Sequence, residues 1–269
     1  MTTPSSRYQL SCELVPPHSD DVKAVLAIND DLLASASRDS SVAIWKRTEH
    51  NQFNLAGLLN GHHAYVNSLA HIPANSDEEG RSILLDELTA DLLASGGNSS
   101  LILLHSLSAL DSESRACLIG HTLNVCALNY SQTRRKLISG SWDQTARVWS
   151  RESGEWNCDL ILEGHDQAVW GVAIVEEGPK EGHYLTADRL INLWNTNGEL
   201  LLRIKGSPEP MKADHSGSFE YGTYPGAYCT RFAVIPITHI TLRWGQMGAC
   251  CHVERITLSG SGKIKANTL

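Results

Sequence analysis

No stretch of about 18 apolar residues interrupts the sequence of 269 residues, so no membrane-spanning helix is predicted. The opening MTTPSSRYQL has no apolar centre of the kind a secretory signal requires. Lys and Arg number 22 against 30 Asp and Glu, a formal net charge of −8, and they form no cluster. A nucleic-acid surface is therefore not expected, and an acidic chain suits a neutral or basic protein partner better. The seven cysteines (Cys12, Cys117, Cys126, Cys158, Cys229, Cys250 and Cys251) are odd in number and irregularly spaced. That pattern predicts reduced thiols in the cytoplasm and nucleus rather than a disulfide framework. Cys229, Cys250, Cys251 and His252 lack the two-to-four-residue spacing of zinc ligands, so no metal is expected. There is no Gly-rich phosphate loop and no pair of carboxylates at a plausible site, so neither a cofactor nor an enzyme is expected.

What is present is a repeat. Apolar residues make up 42% and charged residues 19%, enough for a packed soluble domain. Four segments share one plan: a turn with His, an apolar strand, a strand of small and aliphatic residues, a turn with an acidic residue, and a strand ending in Trp. The third copy is the most regular, with LIGH to His121, NVCALNY, and KLISGSWDQTARVW to Trp149. The first runs VPPH to His18, DVKAVLAI, and DLLASASRDSSVAIW to Trp45. The fourth runs LEGH to His165, AVWGVAIV, and HYLTADRLINLW to Trp194. In the second, LNGH to His62 is followed by YVNSLAHI and DLLASGGNSSLILLH, which ends in His105 and has Ser99 in place of the acid. The four histidines stand 44, 59 and 44 residues apart, and the longer step holds an acidic insert, Ser76–Glu87. Units of about 40–45 residues with this strand pattern predict an all-β propeller with four recognisable blades.

These residues resemble the WD-repeat family, and the resemblance implies a hydrogen-bonded set in each blade. It would comprise His18, Ser35, Asp39 and Trp45 in blade one, and His121, Ser139, Asp143 and Trp149 in blade three. His165, Asp188 and Trp194 are the counterparts in blade four. A His-Ser-Asp set invites a catalytic-triad reading, but its recurrence together with a Trp favours a structural device. The fourth copy is two residues short, a gap placed between Thr186 and Ala187, and a distorted second hairpin is expected there.

The pattern stops at Gly206. ITLRW, ending at Trp244, imitates a third strand without the acid six residues earlier, and RFAVIP reads as a strand that nothing continues. The expected division is residues 7–206 as propeller blades and 207–269 as an irregular tail, either a degenerate blade or the product of a retained intron or frame error near Gly206. Related propellers carry six to eight blades, so an incomplete ring is expected.

RYQLSCEL, SASRDSSVAIW, SGGN, SGSWDQTARVW and GHDQAVWGVAIV, in that order, resemble the N-terminal propeller of the phospholipase A-2-activating protein family over residues 7–206. The resemblance implies a non-catalytic propeller that binds ubiquitin in ubiquitin-dependent protein degradation and ubiquitin homeostasis. The alternative is a generic WD-repeat scaffold subunit of another complex. Docking on an unfoldase of the valosin-containing-protein type is expected only if a further C-terminal domain exists. The family's top-face positions fall on Asp21, Lys23 and Arg38 in blade one, and on Tyr65, Asn67 and Asn98 in blade two. They fall on Asn124, Cys126 and Trp142 in blade three, and on Ala168 and Trp170 in blade four. Trp142 and Trp170 with Tyr65 nearby would make an aromatic hot spot suited to ubiquitin's apolar, basic-edged patch. The competing expectation is that both indoles fill space between blades, as Trp45, Trp149 and Trp194 are expected to do in the core.

Overall fold

The computed structural model describes residues 13–50, 52–74, 91–110, 112–151 and 155–205, followed by the backbone of six strands between Met211 and Thr268. Blade one consists of β1 (Val22–Ala27), β2 (Leu32–Ser37), β3 (Val42–Arg47) and β4 (Phe53–Leu59). Blade two has β5 (Val66–Ile72), β6 (Leu92–Gly97), β7 (Ile102–Ser106) and β8 (Ala116–Leu118). Blade three has β9 (Val125–Ser131), β10 (Lys136–Ser141), β11 (Ala146–Ser150) and β12 (Asn157–Leu162). Blade four has β13 (Gly171–Ile174), β14 (Tyr184–Ala187), β15 (Leu190–Trp194) and β16 (Leu200–Lys205). Each is a four-stranded antiparallel meander in sequence order.

Burial explains the composition of the strands. A strand in the middle of a blade is covered on both faces by neighbouring blades, so it reads as a nearly continuous apolar or small-residue run. All of β6, β7, β13 and β14 is buried. The outer strand β4 alternates between half-buried and exposed, as a strand with one covered face should.

The apolar cores lie between blades and not within them. One joins Leu26, Ala34, Val42 and Ile44 of blade one to Val66, Leu69 and Leu93 of blade two. A second joins Ile72, Leu92, Ile102 and Leu104 to Val125, Leu128, Leu137 and Trp149 of blade three. A third joins Ile138, Val148 and Leu162 to Val169, Val172, Tyr184 and Trp194 of blade four. The first strands β1, β5, β9 and β13 follow one another side by side, as in a propeller. Two glycines sit where this approach is closest. A Cβ on Gly96 would come within 2.6 Å of Val125 Cγ1, and one on Gly140 within 2.7 Å of the Val169 carbonyl oxygen. The corresponding position in blade one is Ala36, opposite Val42 as Gly96 is opposite Ile102.

Blade four corrects the sequence reading. Thr186 and Ala187 pair with Asn192 and Ile191, the register that Ser139 and Gly140 keep with Arg147 and Ala146. The missing residues therefore come from the turn after Ala187. The second hairpin is short but paired without a shift, because an even deletion at the turn preserves which side chains face each blade.

Beyond Gly206, β17 (Met211–Ala213), β18 (Phe219–Tyr221), β19 (Thr230–Val234), β20 (Ile240–Trp244), β21 (His252–Leu258) and β22 (Ile264–Thr268) form one six-stranded antiparallel meander, with β17 beside β13. The RFAVIP stretch is therefore continued, by pairing of β19 with the ITLRW strand β20. The insert Ser76–Glu87, Cys12, and the Cys229, Cys250, Cys251 and His252 side chains lie outside the described residues. No helix among the described residues is long and apolar enough to cross a membrane.

Candidate functional site

The repeat residues meet as one chain of hydrogen bonds in blades one and three. In blade one the Trp45 indole N–H donates to Ser35 Oγ at 2.8 Å. Ser35 Oγ lies 2.8 Å from His18 Nε2, and His18 Nδ1 lies 2.9 Å from Asp39 Oδ2. Blade three repeats this, with Trp149 Nε1 to Ser139 Oγ at 2.9 Å, Ser139 Oγ to His121 Nε2 at 2.7 Å and His121 Nδ1 to Asp143 Oδ2 at 2.8 Å. The carboxylate can only accept, so Nδ1 carries a proton toward it, and the serine oxygen, which accepts from the indole, is left free to donate its own proton to Nε2. The carboxylate then fastens the turns. Asp143 accepts from the Thr122 and Thr145 backbone N–H groups at 3.0 Å each. Burial pushes the Asp39 carboxyl up, but hydrogen bonds from Ser41, His18 and Ser19 outweigh it and hold it at about 2. Burial likewise opposes ionisation of Asp143, and hydrogen bonds from His121, Thr145 and Thr122 hold it well below the usual carboxylate range.

Blade four departs from the expected set. His165 Nε2 and the Trp194 indole N–H both meet Thr186 Oγ1, at 2.7 and 2.8 Å, so threonine replaces the serine. His165 Nδ1 lies 3.1 Å from the Gln144 carbonyl oxygen of blade three, not on Asp188. Asp188 keeps only the backbone part of the role, accepting from the N–H groups of Asp166 and Leu190 at 3.1 and 2.7 Å. The shortened turn draws its carboxylate away from the imidazole.

Blade two has neither acid nor indole. His62 Nε2 lies 2.9 Å from Ser95 Oγ and its Nδ1 3.1 Å from Ser99 Oγ. His105, only 1% exposed, donates from Nε2 to the Asn60 carbonyl oxygen at 2.9 Å, and its Nδ1 is buried without a hydrogen-bond partner among the described residues.

These chains hold the loops that carry the candidate binding residues, and the structure brings most of them together. The Arg38 N–H donates to the Asp21 carbonyl, the Asn98 N–H to Tyr65 and the Trp142 N–H to Asn124, at 2.9, 2.8 and 2.9 Å. Thus in blades one to three the residue before the turn is tied to the residue three after the repeat His, whereas in blade four the Ala187 carbonyl accepts from the Trp170 N–H at 2.8 Å. Between side chains, Arg38 pairs with Asp21 at 3.2 Å and lies over the Tyr65 ring, 5.5 Å from its centroid. Asn67 Nδ2 donates to Asn98 Oδ1 at 2.7 Å. Trp142 and Trp170 meet edge to face, with ring centroids 5.6 Å apart and planes at 61°. Trp142 is 46% exposed and Tyr65 43%. Trp170 is half-buried, whereas Trp45, Trp149 and Trp194 are buried. Lys23 is exposed, and Asn124, Cys126 and Ala168 are half-buried. Leu123, 51% exposed in the same loop as Asn124, belongs to this surface and was not anticipated; an apolar side chain in a polar loop was its one signal. Cys117, Cys126 and Cys158 carry thiols and no disulfide.

The sequence profile described as "WD domain, G-beta repeat" matches residues 10–46 and 112–150. The chain is 33% identical to Protein DOA1 of Saccharomyces cerevisiae over 169 residues, which is 62% of this chain and 20% of that protein. It is 34% identical to the phospholipase A-2-activating protein of Xenopus laevis over 177 residues, 64% of this chain and 20% of the relative. To the ubiquitin homeostasis protein lub1 of Schizosaccharomyces pombe it is 31% identical over 143 residues, 53% and 18% of the two chains. The matches thus span about a fifth of the length of these relatives. The crystal structure of the WD40 β-propeller domain of Doa1 superposes with a TM-score of 0.61 at 24% identity, covering 94% of this chain and 83% of that one. The chain thus has the WD40 β-propeller fold, and in sequence it is similar to the Doa1, phospholipase A-2-activating protein and lub1 group.

Proposed function

We propose that this chain is a non-catalytic binding propeller of the cytoplasm and nucleus whose top face binds ubiquitin or ubiquitinated proteins. The observation that carries this reading is the Trp142–Trp170 pair. Two indoles from neighbouring blades stand edge to face, one of them nearly half exposed, and Leu123 is exposed next to Asn124, whose carbonyl takes the Trp142 N–H. Exposed aromatic side chains with few rotatable bonds are the usual centres of protein interfaces. Ubiquitin offers an apolar patch edged with basic residues, and Asp20, Asp21 and Asp166 are exposed in the same set of loops. The names of two relatives, a ubiquitin homeostasis protein and a ubiquitin fusion degradation protein 3 homolog from Caenorhabditis elegans, support the same partner class.

The test is titration of the chain against immobilised ubiquitin. Trp142→Ala is expected to weaken binding about tenfold or more, with the thermal midpoint nearly unchanged. Binding that survives this substitution, or a stability loss of about 3–5 kcal/mol typical of a core indole, overturns the assignment.

A further inference from the structure

We propose that the neighbouring imidazoles of blade two, His62 and His105, make the Tyr65–Asn67–Asn98 part of the top face acid-sensitive, so that it opens and releases its partner as the pH falls from 7 toward 5. Partner release rests on the binding reading above; the opening does not.

The case begins with what the other blades have. His18 and His121 each face a carboxylate at 2.9 and 2.8 Å. In blade two a hydroxyl, Ser99, takes the place of the acid and a second imidazole, His105, takes the place of the indole. Both rings are buried, at 7% and 1% exposure. A proton added to His105 would go to Nδ1, which has no hydrogen-bond acceptor among the described residues. A proton added to His62 would place a buried cation among hydroxyls, with no anion among the described residues to balance it.

The described groups acting on these rings come from every side. Ser95 belongs to β6 and Ser99 to the β6–β7 turn. Asn60 presents its carbonyl from the loop ahead of β5, His63 is the next residue along the chain, and the Ser112 carbonyl precedes β8. None of them is a carboxylate. The carbonyls favour the protonated forms, but burial outweighs them at both rings, and at His62 repulsion from His105 and His63 adds to burial. The result is a His62 held at about 4 and a His105 also below its ordinary range.

An imidazole that titrates near 6.5 in an opened chain and near 4 in the closed blade binds fewer protons when closed. The stability it lends is therefore complete above about pH 6.5 and is lost as the pH falls toward 4. His62 alone would raise the opening equilibrium roughly 20-fold between pH 7 and pH 5.

The coupling to the surface is short. Ser99 is adjacent to Asn98, and His62 lies three residues before Tyr65. Asn98 and Tyr65 share a backbone hydrogen bond, and Asn98 also receives the Asn67 amide. Losing the His62–Ser99 contact removes the side-chain link that holds these two loops together beneath that surface.

The full chain should be followed at pH 7 and pH 5 by hydrogen exchange, corrected for intrinsic rates, and by ubiquitin titration. Segments 60–67 and 92–105 are expected to open about tenfold or more on acidification relative to segment 121–149 of blade three, with a parallel loss of affinity. The double variant Ser99→Asp/His105→Trp, which rebuilds the set found in blade three, should lose this contrast. His62→Gln, which keeps hydrogen-bonding capacity without a titratable ring, should do the same if the double variant fails to fold. Equal exchange in blades two and three at both pH values, or undiminished acid opening in His62→Gln, overturns the inference. Absence of ubiquitin binding at pH 7 would remove the binding reading, and the exchange comparison would still decide the acid opening by itself.

Discussion

Blades one and three carry the full chain of indole, hydroxyl, imidazole and carboxylate, whereas blades two and four have each lost part of it. Yet all four are four-stranded antiparallel meanders, and an apolar core fills each of the three joints between them. The polar chain is therefore not what makes a blade. Apolar burial between blades makes it, as expected for units that cannot cover their own faces. What the polar chain decides is how firmly the loops on the top face are held, and by which ionisable groups.

Substitutions that strike the two classes unequally can break or sharpen this contrast. The largest effect is expected at Trp149, which anchors its polar chain and also packs into the core shared with blade two. Trp149→Ala should cost about 3–5 kcal/mol in urea unfolding. His105→Ala, at the same place in blade two, should cost about 1–3 kcal/mol through loss of its hydrogen bond to the Asn60 carbonyl and of its buried ring. Equal losses would mean that the indole contributes only its hydrogen bond.

Acid comes next. Asp39 and Asp143 are held below their ordinary range, so the stability they lend is present above about pH 4 and is lost as the pH falls below it. The thermal midpoint should drop by roughly 5 °C between pH 5 and pH 3, and less in Asp143→Asn. This step lies below the blade-two step, so two separate acid phases are expected. His165 is also lowered by burial, but Asp188 and Asp166 oppose that shift, and blade four should respond less than blade two.

The smallest effect is expected at Arg38. Its pair with Asp21 is exposed, so Arg38→Ala should change stability by less than about 0.5 kcal/mol. Its contact with Tyr65 predicts a measurable change in the salt dependence of ubiquitin binding, checked by titration at two ionic strengths.

Much of this was legible in the sequence because the repeat fixes both spacing and chemistry. His121, Ser139, Asp143 and Trp149 could be placed in one set, and they bond in the order Trp149, Ser139, His121, Asp143. The pairing of Asn124 with Trp142, and the meeting of Trp142 with Trp170, follow from positions counted from the repeat His and the turn. What escaped is what depends on neighbours. The partner of His165 is a backbone carbonyl of the preceding blade, and no side-chain pattern announces a carbonyl. The gap in blade four was misplaced because letters align as well before Ala187 as after it; only strand register distinguishes the two. The outer strands β4, β8, β12 and β16 were not picked out, since a strand covered on one face carries a weaker apolar signal. Leu123 is a single apolar residue with no periodicity to mark it.

The glycines at the blade contacts give the stack an adjustable pitch. At Gly96 the Val125 side chain, and at Gly140 the Val169 carbonyl with the Val169 and Val172 side chains, take up the volume a methyl group would fill, so that missing carbon sets how near blade three comes to blade two and blade four to blade three. Adding it back at either position would push apart everything on the far side, and the gap between Trp142 and Trp170 across the second of these joints would widen with it. Two hydrogen atoms thus act as the spacers that tune the width of the aromatic surface.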